Sequence, residues 1–209
     1  APMLEVAAPE ALVGAAQMNV IEFHTWNSTT ADIAHPDRVI FDLDPGEGVG
    51  WEALREGTVL TRRMLELLGL ASFLKTSGGK GLHVVVPLEP SWDYEAVRDF
   101  SEAVVRHLAK TLPTLFVSKS GARNRVGRIF VDYLRNGRGA TTVAAFSARA
   151  RPGLGVSVPL AWKELRTLRA ADQWNILSLE ERLRRLRSDP WKGYGECRQT
   201  LDRALERLG

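Results

Sequence analysis

Two aspartates stand one residue apart at the end of an apolar run, in the segment VIFDLDPG. In an extended strand alternate side chains share a face, so Asp42 and Asp44 point the same way. Two carboxylates this close repel each other unless a positive charge lies between them. Because Mg²⁺ and Mn²⁺ prefer oxygen ligands, the pair indicates either a divalent-cation site or a solvated turn. An EF-hand fits poorly, since its bidentate glutamate would fall on Ala53.

A third aspartate, Asp132, lies in another apolar segment, GRIFVDYLRN. Burying this carboxylate without a partner would cost free energy. Either a cation shared with Asp42 and Asp44 or an ion pair with an arginine would compensate its charge. It is the only acid between residues 119 and 151, where the bases are Lys119, Arg123, Arg125, Arg128, Arg135, Arg138, Arg149 and Arg151. This block favours contact with nucleic acid or phosphates, and a solvated basic face is the alternative.

The segment SGGKGLH combines glycines with side-chain donors. Its relevant members are Ser77, Gly78, Gly79, Lys80, Gly81 and His83. The glycines allow a tight turn that aims successive backbone N–H groups at one anion, and the side chains add a hydroxyl, an ammonium and an imidazole. The spacing is not that of a Walker A loop, and a plain hairpin turn is the alternative.

Together, these three features are the components of two-metal nucleotidyl transfer. A pair of metal ions lowers the pKa of an attacking 3′-hydroxyl and braces the transition state while pyrophosphate leaves. Basic groups neutralise the triphosphate. The combination therefore predicts that the three aspartates bind metal, and that the glycine-rich turn and nearby arginines bind the triphosphate.

The elements that would position these residues follow from the apolar periodicity. It predicts strands at 19–26, 38–44 and 127–134, a strand or extended segment at 141–150, and a strand–turn–strand unit at 71–88. Helices are predicted at 9–17, 51–70 and 93–112, and further helices near the C-terminus, where Ser178 and Glu181 have capping-box spacing. This order predicts an α+β fold, with mixed β-sheets, two central flanking helices and a helical C-terminal tail.

Composition limits the class of protein. The 209 residues are 44% apolar and 25% charged, which is typical of globular proteins. We expect no membrane contact, because no apolar run is long enough to span a bilayer. The single Cys197 excludes an internal disulfide and fits a reducing cytoplasm.

Several longer segments resemble the polymerase domain of bacterial DNA ligase D, a member of the archaeo-eukaryotic primase superfamily. They are FDLDPGEGVGWEAL, KTSGGKGLHVVVPL, IFVDYLRN, TTVAAFSARARPGLGVSVPLAWKEL and DPW, and they occur in the family's order. The resemblance runs from about residue 20 to residue 191. It implies one primase-polymerase catalytic domain over residues 1–209, with an RRM-like subdomain and a tail of the same domain from about residue 160.

The resemblance also implies roles for individual residues. Asp42, Asp44 and Asp132 match the catalytic, metal-binding triad, and His24 matches a histidine that assists nucleotide binding and catalysis. The matches for triphosphate and active-site binding are Ser77, Gly78, Gly79, Lys80, Gly81, His83, Arg135 and Arg149.

The activity implied by the family is addition of nucleotides, preferably ribonucleotides, to DNA 3′ ends during non-homologous end joining. The implied cofactors are two Mn²⁺ or Mg²⁺ ions per active site. The implied partners are NTP or dNTP, primer-template or gapped DNA, Ku and a DNA ligase module, in the bacterial cytoplasm and at the nucleoid. Family members carry a further N-terminal segment that contacts template DNA and a recessed 5′-phosphate, and we expect this chain to lack it.

Two other interpretations stay open on the sequence alone. A haloacid-dehalogenase-type phosphatase has a similar apolar strand with an Asp-x-Asp motif, in which Asp42 would be the nucleophile and Asp44 the acid–base. That family needs a later pair of acids, whereas Asp132 is followed by Tyr133 and Leu134. The second alternative is a catalytically idle nucleic-acid-binding module that retains the basic surface.

Overall fold

The computed structural model describes residues 4–208, and these residues form five α-helices and eight strands. The helices are α1 (Pro9–Gln17), α2 (Trp51–Leu67), α3 (Tyr94–Thr111), α4 (Leu179–Arg185) and α5 (Asp202–Leu208). The strands are β1 (His24–Thr25), β2 (Arg38–Pro45), β3 (Phe73–Thr76), β4 (Leu82–Pro87), β5 (Phe116–Val117), β6 (Ile129–Asp132), β7 (Thr142–Val143) and β8 (Pro159–Leu160). Three 3₁₀ helices cover Ala122–Arg125, Tyr133–Asn136 and Trp162–Arg166.

The main sheet has six strands in the order β5-β6-β2-β4-β3-β8. All of its pairs are antiparallel except β5 with β6, which is parallel, so the sheet is mixed. A second, two-stranded sheet pairs β1 with β7. The α+β class with mixed sheets is confirmed.

One face of the main sheet forms the core. Val39, Phe41 and Leu43 alternate along β2, and all three are fully buried in one cluster with residues of α2 and α3. Both helices present an apolar stripe to this face because their apolar residues recur at helical spacing. Asp93 caps α3 by accepting a hydrogen bond from the backbone N–H of Ala96 at 2.8 Å.

The opposite face carries a row of ionisable side chains across four neighbouring strands. In the register of the sheet, Asp132 on β6 is opposite Asp42 on β2, and Asp42 is opposite His83 on β4. His83 is in turn opposite Lys75 on β3. Asp44 lies two residues beyond Asp42 and therefore shares this face.

Three of the predicted strands are shorter than the sequence indicates. The segment 127–134 is a strand only over Ile129–Asp132, and the 3₁₀ helix Tyr133–Asn136 follows it. The segments 19–26 and 141–150 pair only through His24↔Val143 and Thr25↔Thr142. Before His24 only the carbonyl of Phe23 continues the backbone hydrogen bonds, by accepting from Ala144. The other partners involve side chains: Phe23 donates to Oγ of Ser147, and Glu22 accepts from Arg149 and from the backbone N–H of Ala150.

The C-terminal region contains the predicted helices, but they are short. The predicted capping box of α4 is wrong: Ser178 makes no side-chain cap, and its hydroxyl accepts a hydrogen bond from the backbone N–H of Asn175. Glu181 pairs with Arg185 instead. Within residues 4–208, no helix combines the length and apolar character that crossing a membrane requires.

Candidate functional site

A cavity of about 950 Å³ opens on the ionisable face of the main sheet. The predicted site residues that line it are Asp42, Asp44, Ser77, Gly79, Lys80, Gly81, His83, Arg135 and Arg149. Its other charged lining residues are Glu47, Arg125, Arg151, Arg169 and Asp172. The strand register therefore brings most of the predicted residues to one cavity, although they come from separate segments of the sequence. Among the described residues, His24, Gly78 and Asp132 lie outside its lining.

The three aspartates share one face but are partly neutralised by arginines. The Nε of Arg135 lies 3.2 Å from Oδ2 of Asp132 and 3.8 Å from Oδ2 of Asp42. The Nη1 of Arg125 donates to Oδ2 of Asp44 at 2.7 Å. Among residues 4–208, no three acid, imidazole or thiol groups converge closely enough to form a ready-made metal centre.

Asp42 is the most electrostatically strained of the three. Burial, followed by the charges of Asp44 and Asp132, raises its pKa from 3.8 to about 7, although Arg135 and Lys75 act in the opposite direction. Burial also raises the pKa of Asp132, against the lowering effect of Arg135. An added positive charge at this position would relieve the strain.

His83 is buried beside Asp42. Its Nε2 lies 3.3 Å from Oδ1 of Asp42, and its Nδ1 has no hydrogen-bond partner among the described residues. Burial, with the nearby charges of Lys75 and Arg149, holds the pKa of His83 well below its usual range. The imidazole is therefore neutral at pH 7. Its ionisable contact is with the carboxylate of Asp42.

Lys75 completes the row and was missed in the sequence analysis. It is 3% exposed, and its Nζ donates to the carbonyl of Val143 at 2.9 Å and to Oγ of Ser157 at 2.8 Å. Burial lowers its pKa from 10.5 to about 7. The available signal was a lysine inside the apolar run FLKT, in phase with His83 across the strand–turn–strand unit.

The glycine-rich turn is built around the hydroxyl of Ser77. Its Oγ accepts hydrogen bonds from the backbone N–H groups of Gly79 at 3.2 Å and of Gly81 at 3.1 Å. A Cβ on Gly81 would lie 2.5 Å from the carbonyl oxygen of Leu43, so only glycine fits where the turn crosses β2. Gly78 adopts the left-handed conformation, with a φ of 67°. Lys80 lies in the same turn and lines the cavity.

His24 and Arg149 meet through a carboxylate that was not among the predicted site residues. Oε1 of Glu22 contacts Nε2 of His24 at 2.6 Å and Nε of Arg149 at 2.8 Å. Arg149 also donates through Nη1 to the carbonyl of Ser77 at 2.8 Å. These contacts connect His24, outside the cavity lining, with the glycine-rich turn inside it.

The chain is similar to known proteins of one family. A family model described as the LigD primase-polymerase domain matches residues 1–191. The chain is 52% identical over 207 residues to the multifunctional non-homologous end joining protein LigD of Pseudomonas aeruginosa, covering 99% of this chain and 25% of that protein. It is 32% identical over 195 residues to the corresponding LigD of Mycolicibacterium smegmatis, covering 92% and 24%. The chain thus spans about a quarter of the length of these relatives.

A solved structure of this family has the same fold as the chain. The polymerase domain from Mycobacterium tuberculosis ligase D, in complex with DNA, superposes with a TM-score of 0.82 at 28% identity. The superposition covers 92% of this chain and 69% of that one. The chain therefore belongs to the LigD primase-polymerase domain family, whose members are metal-dependent nucleotidyltransferases.

Proposed function

We propose that this chain adds nucleotides to the 3′ end of DNA during end repair by non-homologous end joining, with ribonucleotides preferred. The observation that carries the proposal is the strand register that sets Asp42 beside Asp132, with Asp44 on the same face, next to a cavity lined by lysine and arginine. Carboxylates on one side and cations on the other suit a metal-bound triphosphate.

The three aspartates fit a divalent-cation site. Their oxygens are the ligands that Mn²⁺ and Mg²⁺ prefer. Burial, followed by the charges of Asp44 and Asp132, raises the pKa of Asp42, and a bound cation would favour its ionised form. For Asp44 to join such a site, its carboxylate must exchange Arg125 for the ion. Two ions bound there would acidify the attacking 3′-hydroxyl and offset charge on the triphosphate.

The chain's own basic residues are proposed to hold the triphosphate. Lys80, Arg149 and Arg135 line the cavity, and Arg149 is fixed to the glycine-rich turn through the carbonyl of Ser77. Ser77 shapes the turn by accepting two of its backbone N–H groups. His83 is neutral and buried, so its proposed part is to orient Asp42 through Nε2.

The names of the relatives support the proposed process. The proteins of P. aeruginosa and M. smegmatis are named for non-homologous end joining, and the M. tuberculosis domain is in complex with DNA. We accordingly propose gapped or primer-template DNA as substrate, and Ku and a ligase module as partners, at the bacterial nucleoid. We also treat residues 1–209 as one domain, because Leu201 and Ala204 belong to the main core cluster. Residues 1–3 and 209 of that domain lie outside the described part.

Metal binding is expected to release protons near neutral pH. Because the pKa of Asp42 is about 7, this carboxyl is about half protonated at pH 7, and a cation can bind only its ionised form. The affinity for Mn²⁺ should therefore rise between pH 6 and pH 8. Calorimetric titration in two buffers of different ionisation enthalpy measures the protons released. Equal affinity at both pH values, with no proton release, would contradict the assignment of Asp42 as a ligand.

Primer extension tests the proposed function directly. The intact chain and a double variant, Asp42→Ala with Asp44→Ala, are incubated with gapped duplex, labelled NTP or dNTP, and Mn²⁺ or Mg²⁺. We expect metal-dependent extension by the intact chain only, and more extension with NTP than with dNTP. Release of inorganic phosphate without extension would favour the phosphatase, which the family match over residues 1–191 argues against. DNA binding without any metal-dependent reaction would favour the idle binding module.

A further inference from the structure

Glu22 is the only described side chain that contacts both His24 and Arg149 through hydrogen-bonded oxygens. Its Oε1 lies 2.6 Å from Nε2 of His24 and 2.8 Å from Nε of Arg149, and its Oε2 accepts the backbone N–H of Ala150 at 2.8 Å. His24 and Arg149 come from segments 125 residues apart in sequence (149 − 24), so one carboxylate joins two distant parts of the chain.

The charge of Glu22 determines which ring nitrogen of His24 donates to it. Burial raises the pKa of Glu22, but the hydrogen bonds from His24 and Ala150 and the charge of Arg149 outweigh it, so the pKa lies below its usual value. Glu22 is therefore ionised at pH 7, and an ionised carboxylate can only accept hydrogen bonds. The Nε2 of His24 must therefore carry the hydrogen of this contact.

Arg149 extends the network into the cavity. Glu22 holds its Nε, while Nη1 donates to the carbonyl of Ser77 at 2.8 Å. The Arg149 side chain is only 12% exposed, so it has little freedom to take another orientation. Its guanidinium also lies beside Gly79, where a Cβ would be 3.8 Å from Nη1.

The backbone next to Glu22 is held in place by hydrogen bonds of Phe23. The chain from 20 to 23 is not part of a strand, and Phe23 is anchored by its N–H to Oγ of Ser147 at 2.8 Å and by its carbonyl to the N–H of Ala144 at 2.9 Å. These bonds fix where the segment lies, but they do not contact the side chains of His24 and Arg149. Glu22 contacts both, and it adds to the hold of Ser77 on Arg149.

We infer that Glu22 is a positioning residue for nucleotide binding: one carboxylate holds His24 through its Nε2–H group and holds Arg149 against the glycine-rich turn. The inference deepens the proposed function and rests on it, because it assigns His24 and Arg149 to the nucleotide. Hydrogen bonds to an ionised group are stronger than neutral ones, so the loss of this one is expected to weaken nucleotide binding by roughly tenfold or more.

The first test is kinetic. In Glu22→Gln, which keeps the size of the side chain but removes its charge, the KM for nucleotide should rise roughly tenfold, with a smaller change in kcat and unchanged affinity for gapped DNA. Glu22→Asp keeps the charge on a shorter side chain and should recover part of the loss. The control is Glu180→Gln, which removes an exposed glutamate paired with Arg184 at 2.6 Å and should leave KM unchanged. Thermal denaturation of each variant verifies folding.

The second test does not depend on catalysis. In the nucleotide-free parent, the two ring ¹⁵N resonances of His24 should report a proton on Nε2, and in Glu22→Gln they should converge towards the average of the two tautomers. An Nε2 without a proton in the parent, or identical spectra in parent and variant, would overturn the inference. So would an unchanged KM in an active Glu22→Gln enzyme, and the proposed function would then stand. Expected spectra from a chain without primer extension would support the positioning role and sink the proposed function.

A double-mutant cycle separates the two partners. If Glu22 acts through His24, then Glu22→Gln should raise KM much less in a His24→Ala background than in the parent. Additive effects in both the His24→Ala and Arg149→Lys backgrounds would overturn the inference.

Discussion

Asp42→Asn is expected to abolish metal-dependent nucleotide addition and, at the same time, to stabilise the fold above pH 7. In the parent, the pKa of Asp42 is raised from 3.8 to about 7 by burial and by the charges of Asp44 and Asp132. The folded state therefore binds a proton more tightly than the unfolded state between these two pH values. The parent loses stability as the pH rises through this window, and asparagine does not.

The size of the gain and its pH dependence can both be measured. At pH 8 the variant should be more stable by on the order of 2 kcal/mol, which corresponds to a Tm about 4–8 °C higher for a chain of this size. The difference should shrink steadily as the pH is lowered from 7 towards 4. Denaturant unfolding at pH 5, 6, 7 and 8 without divalent cations is the measurement.

The matched control for this variant is Asp99→Asn. Asp99 is 58% exposed and pairs with Arg98 on the surface of α3, so its removal should change neither activity nor stability appreciably. Added Mn²⁺ should raise the Tm of the parent and of Asp99→Asn, but much less that of Asp42→Asn. A variant at residue 42 that is less stable than the parent at pH 8 would contradict the electrostatic strain assigned to this site.

Gly46→Ala should have the largest effect on folding of any glycine substitution near the site. A Cβ at this position would lie 1.7 Å from the carbonyl oxygen of Arg125 and 2.9 Å from that of Arg128. Both are backbone atoms, so relief requires the 125–128 segment to move away from the end of β2. That movement would weaken the pairing of Asp44 with Phe130 and of Pro45 with Ile129.

We expect Gly46→Ala to lose about 3 kcal/mol of stability, or about 6–12 °C in Tm, together with most of the nucleotide addition. Gly195→Ala is the control, because no described atom lies within 4 Å of the added methyl and φ is not in the left-handed region. It should change stability by less than about 0.5 kcal/mol. Equal thermal denaturation of the two variants would contradict the close approach of β2 to the 125–128 segment.

Much of the fold was predictable because the sequence alternates clearly. The run from Val39 to Leu43 indicated a strand with one apolar face, and helical spacing indicated α2 and α3. Asp132 was recognised as a partner for Asp42 because a lone acid in an apolar strand needs one. That the two are direct neighbours depends on strand order and register, which local pattern does not specify.

The residues missed in the site share a physical reason. Each of them contacts a partner that is distant in the sequence. The separation is 68 residues for Lys75, 127 for Glu22 and 81 for Arg125. A local sequence pattern does not specify such long-range contacts. Glu22 lies in a segment whose alternation predicted a strand, and long-range side-chain hydrogen bonds overrode that local preference. The predicted capping by Ser178 was wrong because its hydroxyl accepts a hydrogen bond from the backbone N–H of Asn175 and none from α4.

The row formed by Asp132, Asp42, His83 and Lys75 also affects how the sheet assembles. A slip of one residue by any of these four strands would turn its ionisable side chain into the apolar core and bring an apolar one out. The four ionisable groups therefore also favour the native strand pairing, at four adjacent positions of the sheet. A neutral residue in this row can stabilise the native sheet. It also lowers the cost of burying that position in a shifted register. We therefore expect such variants to misassemble more often during refolding.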